Sequence, residues 1–111
     1  MKVIVVDDDV QMREMLGEVL AMKGHKAVGY PDYDRDIPTD ADAYILDYCV
    51  PSATQGGDWL RDHPGLHPRS VLISGTSCWK GWDCAATLKK PFRLPELFAA
   101  IDRAAELAVV C

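Results

Sequence analysis

Three consecutive carboxylates, Asp7, Asp8 and Asp9, end an apolar run close to the N-terminus. Two like charges about 4 Å apart repel each other by roughly 1 kcal/mol in water and by about 4 kcal/mol at an effective dielectric constant near 20. A further carboxylate, Asp47, ends a second apolar run. Carboxylates that converge from neighbouring strand ends suit a hard cation, and Mg²⁺ is commonly held by one or two carboxylates plus a phosphate. The pattern therefore predicts a Mg²⁺ site, whose cation offsets the repulsion.

Two other polar side chains, the hydroxyl of Ser74 and the ammonium of Lys90, follow later apolar runs. A carboxylate beside a divalent cation can act as a nucleophile toward phosphorus. This is possible because the metal and a lysine neutralise charge on the phosphoryl oxygens during transfer. The predicted chemistry is the formation of an aspartyl phosphate on Asp47.

The elements that must position these side chains follow from the hydrophobic pattern. Short runs of apolar and β-branched residues predict five strands, over residues 2–6, 25–30, 43–48, 70–74 and 86–89. Apolar residues at helical spacing predict helices over residues 10–22, 58–63 and 95–108. Asp9 directly precedes the first helix, so its predicted role is that of the N-cap. The segment between the second and third strands contains two prolines, which leave room for a turn or two of helix at most.

Strands that alternate with helices predict a parallel sheet with right-handed crossovers in a three-layer α/β architecture. Ligands of such sheets bind outside the carboxyl ends of the strands, where the strand order reverses. Asp7 and Asp8 follow the first predicted strand, and Asp47 lies near the end of the third. Ser74 ends the fourth strand and Lys90 follows the fifth. The sheet is therefore expected to bring all five residues to one edge.

The bulk composition narrows the classes of protein that fit. With 111 residues, 49% of them apolar, the chain is expected to form a single domain over residues 1–111 with no output domain. A net charge of −5 and twelve scattered basic residues argue against direct binding of nucleic acid. The sequence contains neither a membrane span nor the apolar core of a signal peptide. We therefore expect a cytoplasmic protein with reduced cysteines.

The polar residues lie in motifs that resemble the receiver domain of two-component response regulators over the whole chain. The motifs are VVDDD at 5–9 with Arg13 following, ILDYCVP at 45–51, LISGT at 72–76 and LKKPFRLPEL at 88–97. Their combination in this order is specific to the family. The resemblance implies a flavodoxin-like (βα)5 fold, with a doubly wound parallel sheet in strand order 2-1-3-4-5.

The resemblance also implies a role for each acidic residue. Asp47 would accept the phosphoryl group of a phosphohistidine, carried by a sensor histidine kinase or a histidine phosphotransfer protein. Asp8 would bind Mg²⁺, or Mn²⁺, directly. Asp7 would bind the cation largely through water, and the backbone carbonyl of Cys49 would supply a further ligand.

For the remaining site residues, the resemblance implies contacts with the phosphoryl group. Ser74 would donate a hydrogen bond to it, and Lys90 would pair with one of its oxygens. The Lys90–Pro91 peptide bond is expected to be cis, as the family usually has it. The chain would then be no enzyme beyond its own phosphotransfer and dephosphorylation. It would signal as a monomer, through protein–protein interaction with an unknown downstream target.

Two departures from the family bear on signalling. Thr87 stands where receivers generally have Tyr or Phe, the aromatic residue that reports phosphorylation, although Trp79 or Trp82 could substitute for it. Lys90 lies only 16 positions after Ser74, fewer than the family usually has. The fourth helix is therefore expected to be short, irregular or missing, and the second helix is also expected to be cut down.

Two alternative functions remain open at this point. One is a degenerate receiver that acts as a phosphorylation-independent interaction module, which Thr87 and the short fourth helix favour. The other is a small phosphatase of the haloacid-dehalogenase type, since Asp7-x-Asp9-Val10 fits the D-x-D pattern of that family. That family needs a further acidic pair after the lysine, and the chain offers only isolated acidic residues there, at Glu96, Asp102 and Glu106.

Overall fold

The protein is described by a computed structural model that covers residues 1–48, 56–75 and 84–110. Within these ranges the backbone forms a five-stranded parallel sheet in the order β2-β1-β3-β4-β5, as predicted. The strands are β1 (Lys2–Val6), β2 (Lys26–Tyr30), β3 (Ala43–Asp47), β4 (Ser70–Ser74) and β5 (Ala86–Lys89). The helices are α1 (Val10–Met22), α2 (Gly56–Asp62) and α3 (Leu94–Val110), with a 3₁₀ helix over Pro64–Arg69.

The sheet has a core on each face, because successive side chains of a strand point to opposite sides. One side of the central strands packs against α1 and α3, and we call this the first core cluster. It includes Val3, Val5, Ile45, Val71, Ile73, Leu16, Leu20, Leu97 and Ile101. The other side packs against α2 and forms the second core cluster, which includes Ile4, Val6, Tyr33, Ile37, Tyr44, Leu46, Trp59, Leu60 and Leu72. The predicted three-layer architecture is therefore confirmed.

The segment between β2 and β3, residues 31–42, forms bends and no helix. The structure thus confirms that the second helix of the fold is cut down, and the helix is absent altogether. Tyr33, Ile37 and Ala41 of this 31–42 segment are buried in the second core cluster. Three inward side chains from irregular backbone therefore cover part of a sheet face that a helix would otherwise cover.

Local signals explain where the helices begin and end. The carboxylate of Asp9 accepts hydrogen bonds from the backbone N–H groups of Gln11 and Met12, which confirms Asp9 as the N-cap of α1. Gly24, at φ 81°, follows the end of α1 in the left-handed region that favours glycine. The Glu96 carboxylate accepts from the backbone N–H of Arg93, so α3 begins one residue earlier than predicted.

Several predictions concern residues outside the described ranges. They are the shortened fourth helix, the carbonyl ligand at Cys49, and the substitution of Trp79 or Trp82 for the aromatic residue that Thr87 replaces. Thr87 does lie within the described part, and its side chain is exposed in β5. Among the described residues, no helix is long and apolar enough to cross a lipid bilayer.

Candidate functional site

Asp7 and Asp47 lie side by side at the carboxyl ends of β1 and β3. The register of these parallel strands pairs Val6 with Leu46, so the next residue of each chain segment is an aspartate. Both are buried, Asp7 completely and Asp47 with 4% of its surface exposed. Two buried carboxylates that lie side by side require a positive partner, because desolvated like charges repel strongly.

Lys90 provides that positive partner. Its Nζ atom lies 2.9 Å from Oδ2 of Asp7 and 3.0 Å from Oδ2 of Asp47. The Lys90–Pro91 peptide bond is cis, as predicted. The backbone N–H of Lys90 donates to the carbonyl oxygen of Ser74 at 2.8 Å, which fixes the start of the loop after β5 against β4. The fifth strand thus delivers the ammonium to residues of the first and third strands.

The charge state of Lys90 follows from its surroundings. Burial by itself lowers the pKa of the ammonium, but hydrogen bonds from the ammonium to Asp7 and Asp47, and the charges of both carboxylates, outweigh burial and raise it. Lys90 is therefore cationic at neutral pH. One ammonium compensates only part of the negative charge that the neighbouring aspartates bring.

Asp8 completes an acidic cluster at the same edge. Carboxylate oxygens of Asp7, Asp8 and Asp47 all lie within 4.8 Å of one another, and Asp8 is exposed where the other two are buried. With Lys90 included, these four side chains carry a formal net charge of −2. Oxygen donors only, close spacing and this residual charge fit a divalent hard cation such as Mg²⁺. A backbone ligand at position 49 falls outside the described residues.

Asp9 is not part of this cluster, although it follows Asp8 in sequence. Its side chain caps α1, and its backbone N–H donates to Oδ1 of Asp7 at 2.9 Å. The hydrogen bond from Asp9 goes to Oδ1 of Asp7, whereas Lys90 contacts the other oxygen, Oδ2. The three consecutive aspartates therefore have different surroundings, and the role of Asp9 is to cap α1.

Ser74 lies at the carboxyl end of β4, beside the strand that ends with Asp47. The register pairs Asp47 with Ile73, so Ser74 is one residue beyond the level of Asp47. It is buried, with 1% of its surface exposed. The structure thus places five predicted site residues, Asp7, Asp8, Asp47, Ser74 and Lys90, at one edge of the sheet.

Two further side chains hold the backbone of the site. Nη1 of Arg13 donates to the carbonyl oxygen of Asp7 at 2.6 Å, and the hydroxyl of Tyr33 donates to the carbonyl oxygen of Asp47 at 2.6 Å. Arg13 lies close over Gly29, where an added Cβ would approach its Cδ to 3.1 Å. The sequence indicated Arg13 only as part of a motif. It gave no signal for Tyr33, which lies in a segment without periodicity.

Comparison with known proteins bears on the fold. No protein-family model and no curated protein matches the sequence. A response regulator receiver domain protein from Clostridium thermocellum has 19% identity and a TM-score of 0.83, with 98% of this chain and 97% of that one covered. The response regulator TrrA from Thermotoga maritima, solved in complex with Mg²⁺-BeF, has 21% identity and a TM-score of 0.75, with 93% and 97% covered.

A third similar structure belongs to a longer protein. NtrX from Brucella abortus, in complex with ATP, has 23% identity and a TM-score of 0.77. The alignment covers 98% of this chain but 28% of NtrX. At these identities the likeness concerns the fold. The chain therefore has the fold of response regulator receiver domains, as the resemblance of its motifs predicts.

Proposed function

We propose that the protein is a response regulator receiver domain that is phosphorylated on Asp47 in a Mg²⁺-dependent reaction. The observation that carries the proposal is the Lys90 ammonium between two buried carboxylates, with Asp8 beside them at the carboxyl edge of the sheet. The response regulator TrrA, which has a similar fold, was solved in complex with Mg²⁺-BeF. The donor would be a sensor histidine kinase or a histidine phosphotransfer protein.

In the proposed reaction, a carboxylate oxygen of Asp47 attacks phosphorus. The new O–P bond forms as the P–N bond of the donor phosphohistidine breaks, and the donor histidine leaves with the electron pair of that bond. Mg²⁺, held by Asp7, Asp8 and Asp47, would supply positive charge for the phosphoryl oxygens. Lys90 moves from a carboxylate partner to a phosphoryl oxygen, and Ser74 donates its hydroxyl to another.

The decisive experiment is phosphorylation by acetyl phosphate, followed by intact-protein mass spectrometry. The wild type should gain the mass of one phosphoryl group when Mg²⁺ is present and none when EDTA removes it. Asp47→Asn should abolish the gain, because an amide cannot act as the nucleophile. Asp36→Asn, which changes an exposed aspartate of the 31–42 segment, is the matched control and should be labelled normally. Unchanged labelling of Asp47→Asn would show that the site assignment is wrong.

The exposed side chain of Thr87 favours a second candidate, an interaction module whose surface does not respond to phosphorylation. The two candidates differ in how far a phosphoryl analogue perturbs the molecule. Beryllofluoride with Mg²⁺ should shift backbone amide resonances beyond the site in a switching receiver. Shifts confined to residues that touch the site would instead support the interaction module.

The phosphatase alternative has a separate test, turnover of p-nitrophenyl phosphate. In that mechanism the nucleophile is Asp7, so Asp7→Asn should abolish turnover while Asp47→Asn should not. We propose that the chain shows no such turnover and that its chemistry is limited to its own phosphotransfer and dephosphorylation.

A further inference from the structure

We infer that Tyr33 is a positioning residue for Asp47, and this inference deepens the proposed function of that site. The Tyr33 hydroxyl donates to the backbone carbonyl oxygen of Asp47 at 2.6 Å. Tyr33 itself is buried, with 4% of its surface exposed. This contact is with the backbone of Asp47 and not with its carboxylate, so through it Tyr33 acts on the reaction by way of the backbone that carries Asp47.

The Asp47 carbonyl lies where the pairing of β3 with β1 has ended and the pairing of β3 with β4 continues. β1 pairs with β3 as far as Val6 and Leu46, and the chain after β1 then turns into the acidic loop. On the other side β3 remains paired with β4, and the backbone N–H of Tyr48 donates to the carbonyl oxygen of Ile73 at 2.9 Å. A buried carbonyl at such a strand end requires a donor. Tyr33 supplies one from outside the sheet.

The position of the Tyr33 hydroxyl is fixed by packing in the second core cluster. The Tyr33 ring lies 5.9 Å from the ring of Trp59 in α2, at an interplanar angle of 36°. The backbone on either side of Tyr33 belongs to the 31–42 segment, which has no helix. An irregular segment can direct a large side chain across the sheet end, and here it brings a phenol to the phosphoacceptor residue.

The hydrogen bond matters for the reaction because the carbonyl and the carboxylate belong to one residue. If the carbonyl loses its donor, the peptide between Asp47 and Tyr48 keeps its N–H bond to Ile73 but loses its support on the carbonyl side, so the peptide can tilt and the Asp47 carboxylate can shift with it. In the structure that carboxylate lies 3.0 Å from Nζ of Lys90, and its oxygens lie within 4.8 Å of those of the other two aspartates. The hydroxyl therefore preserves the geometry that both Mg²⁺ binding and nucleophilic attack require.

Tyr44 provides a matched control for Tyr33. It is also fully buried, and its ring lies 5.8 Å from the same Trp59 ring. Its hydroxyl donates to the carbonyl oxygen of Pro38 and accepts from the backbone N–H of Ala41. Replacement of either tyrosine by phenylalanine removes one buried hydroxyl from one aromatic cluster, but only the Tyr33 hydroxyl bonds Asp47.

The experiment compares Tyr33→Phe with Tyr44→Phe in three measurements. They are the Mg²⁺ dissociation constant, from NMR titration of amide resonances, the rate of labelling at saturating acetyl phosphate, and the urea midpoint of unfolding. Tyr33→Phe should raise the dissociation constant and slow labelling, each by about tenfold. Tyr44→Phe should lower the urea midpoint and leave both other quantities at their wild-type values.

If the Mg²⁺ dissociation constant and the labelling rate change equally in the two variants, the cause is general destabilisation and the inference is wrong. Wild-type Mg²⁺ affinity in Tyr33→Phe would also overturn it. If acetyl phosphate does not label the wild type, the proposed function fails, whereas the comparison of Mg²⁺ dissociation constants still tests Tyr33.

A second variant guards against a failure of Tyr33→Phe to fold. Incorporation of 4-aminophenylalanine at position 33 replaces the hydroxyl by a weaker N–H donor of similar size. Its Mg²⁺ dissociation constant should lie between those expected for the wild type and for Tyr33→Phe. A value equal to that of the wild type in this variant would contradict a role for donor strength.

Discussion

Lys90 lies between two buried carboxylates, so it affects both the stability of the site and the charge that an approaching cation would meet. Nζ of Lys90 forms hydrogen bonds to Asp7 and Asp47, and the lysine side chain is 24% exposed. Removal of one partner from a buried ion pair leaves an uncompensated charge, which typically costs 3–5 kcal/mol. The same ammonium repels any cation that approaches the acidic cluster.

We predict that Lys90→Met lowers the free energy of unfolding without divalent cations by about 3 kcal/mol. It should also bind Mg²⁺ roughly tenfold more tightly, because a positive charge next to the cation is lost. Urea unfolding and Mg²⁺ titration measure the two effects. Lys89→Met, which changes the exposed neighbouring lysine, should alter neither quantity appreciably. Weaker Mg²⁺ binding in Lys90→Met would contradict this account of the charge balance.

Tyr44 makes the stability of the protein sensitive to alkaline pH. Burial raises the pKa of its phenol, and the hydrogen bond from the backbone of Ala41 only partly opposes burial. Since the unfolded chain has the ordinary tyrosine pKa of about 10, the unfolded state loses this proton first as the pH rises. The contribution of Tyr44 to stability is therefore complete below about pH 10 and is lost as the pH rises toward the pKa of the folded state.

We predict a shallower decrease of the unfolding free energy above about pH 10 in Tyr44→Phe than in the wild type. Urea unfolding at a series of pH values gives the two profiles. Lys90, whose pKa is also raised in the folded state, contributes the same decrease to both proteins. Below about pH 9 the profiles should run parallel. Parallel profiles throughout would show that Tyr44 ionises equally well in both states.

At the scale of elements, helix α2 packs directly against the end of β3. An added Cβ at Gly56 would lie 3.0 Å from Cα and from the carbonyl oxygen of Tyr48, and 3.1 Å from the carbonyl oxygen of Asp47. These contacts are all with backbone atoms, which cannot rotate away as a side chain can. The helix starts at Gly56, two residues earlier than the sequence predicted, and a side chain there would require the neighbouring backbone to shift by a few tenths of an ångström.

We predict that Gly56→Ala lowers the free energy of unfolding by about 1–3 kcal/mol, because α2 must move away from the strand end. The displaced peptide is that of Asp47, so the variant should also be labelled more slowly by acetyl phosphate. Gly17→Ala is the matched control, since an added Cβ in the middle of α1 meets nothing within 4 Å. That variant should be more stable by about 0.5–1 kcal/mol, because alanine favours the helix. Equal stability of the two variants would contradict the close packing of α2.

At the scale of the whole molecule, the two core clusters share one sheet, and the candidate site lies at the edge of that sheet. β1, β3 and β4 contribute side chains to both clusters, and their carboxyl ends carry Asp7, Asp47 and Ser74. A ligand at this edge therefore stabilises strands that both cores require. We expect unfolding to be a single cooperative transition. Circular dichroism and tryptophan fluorescence should therefore give the same unfolding midpoint.

We predict that Mg²⁺ raises the free energy of unfolding by about 1.4 kcal/mol for each tenfold increase in concentration above its dissociation constant. Asp8→Asn should remove most of this increase, because the exposed carboxylate of the cluster is lost. Asp36→Asn, remote in sequence from the cluster and also exposed, should respond to Mg²⁺ as the wild type does. An unfolding midpoint that does not change with millimolar Mg²⁺ in the wild type would argue against the metal site.

The sequence by itself determined most of the secondary structure and the membership of the site. The bounds of β1, α1, β4 and β5 agree with the hydrophobic pattern, because buried strands and an amphipathic, capped helix have local signatures. Asp7, Asp47 and Lys90 could be placed together because the carboxyl ends of parallel strands meet at one edge of a sheet. The resemblance to receivers added the strand order and the cis peptide bond before Pro91.

Only the tertiary structure decided which aspartate is buried and what holds the backbone of Asp47. Asp7 and Asp8 are equivalent in a hydrophobicity pattern, but Asp7 is fully buried against Lys90 and Asp8 is exposed. Tyr33 lies in a segment with neither periodicity nor a motif, and its bond to Asp47 depends on the path of that segment across the sheet end. Local sequence determines elements with a repeating geometry, whereas contacts made by irregular backbone depend on the packing of the entire chain.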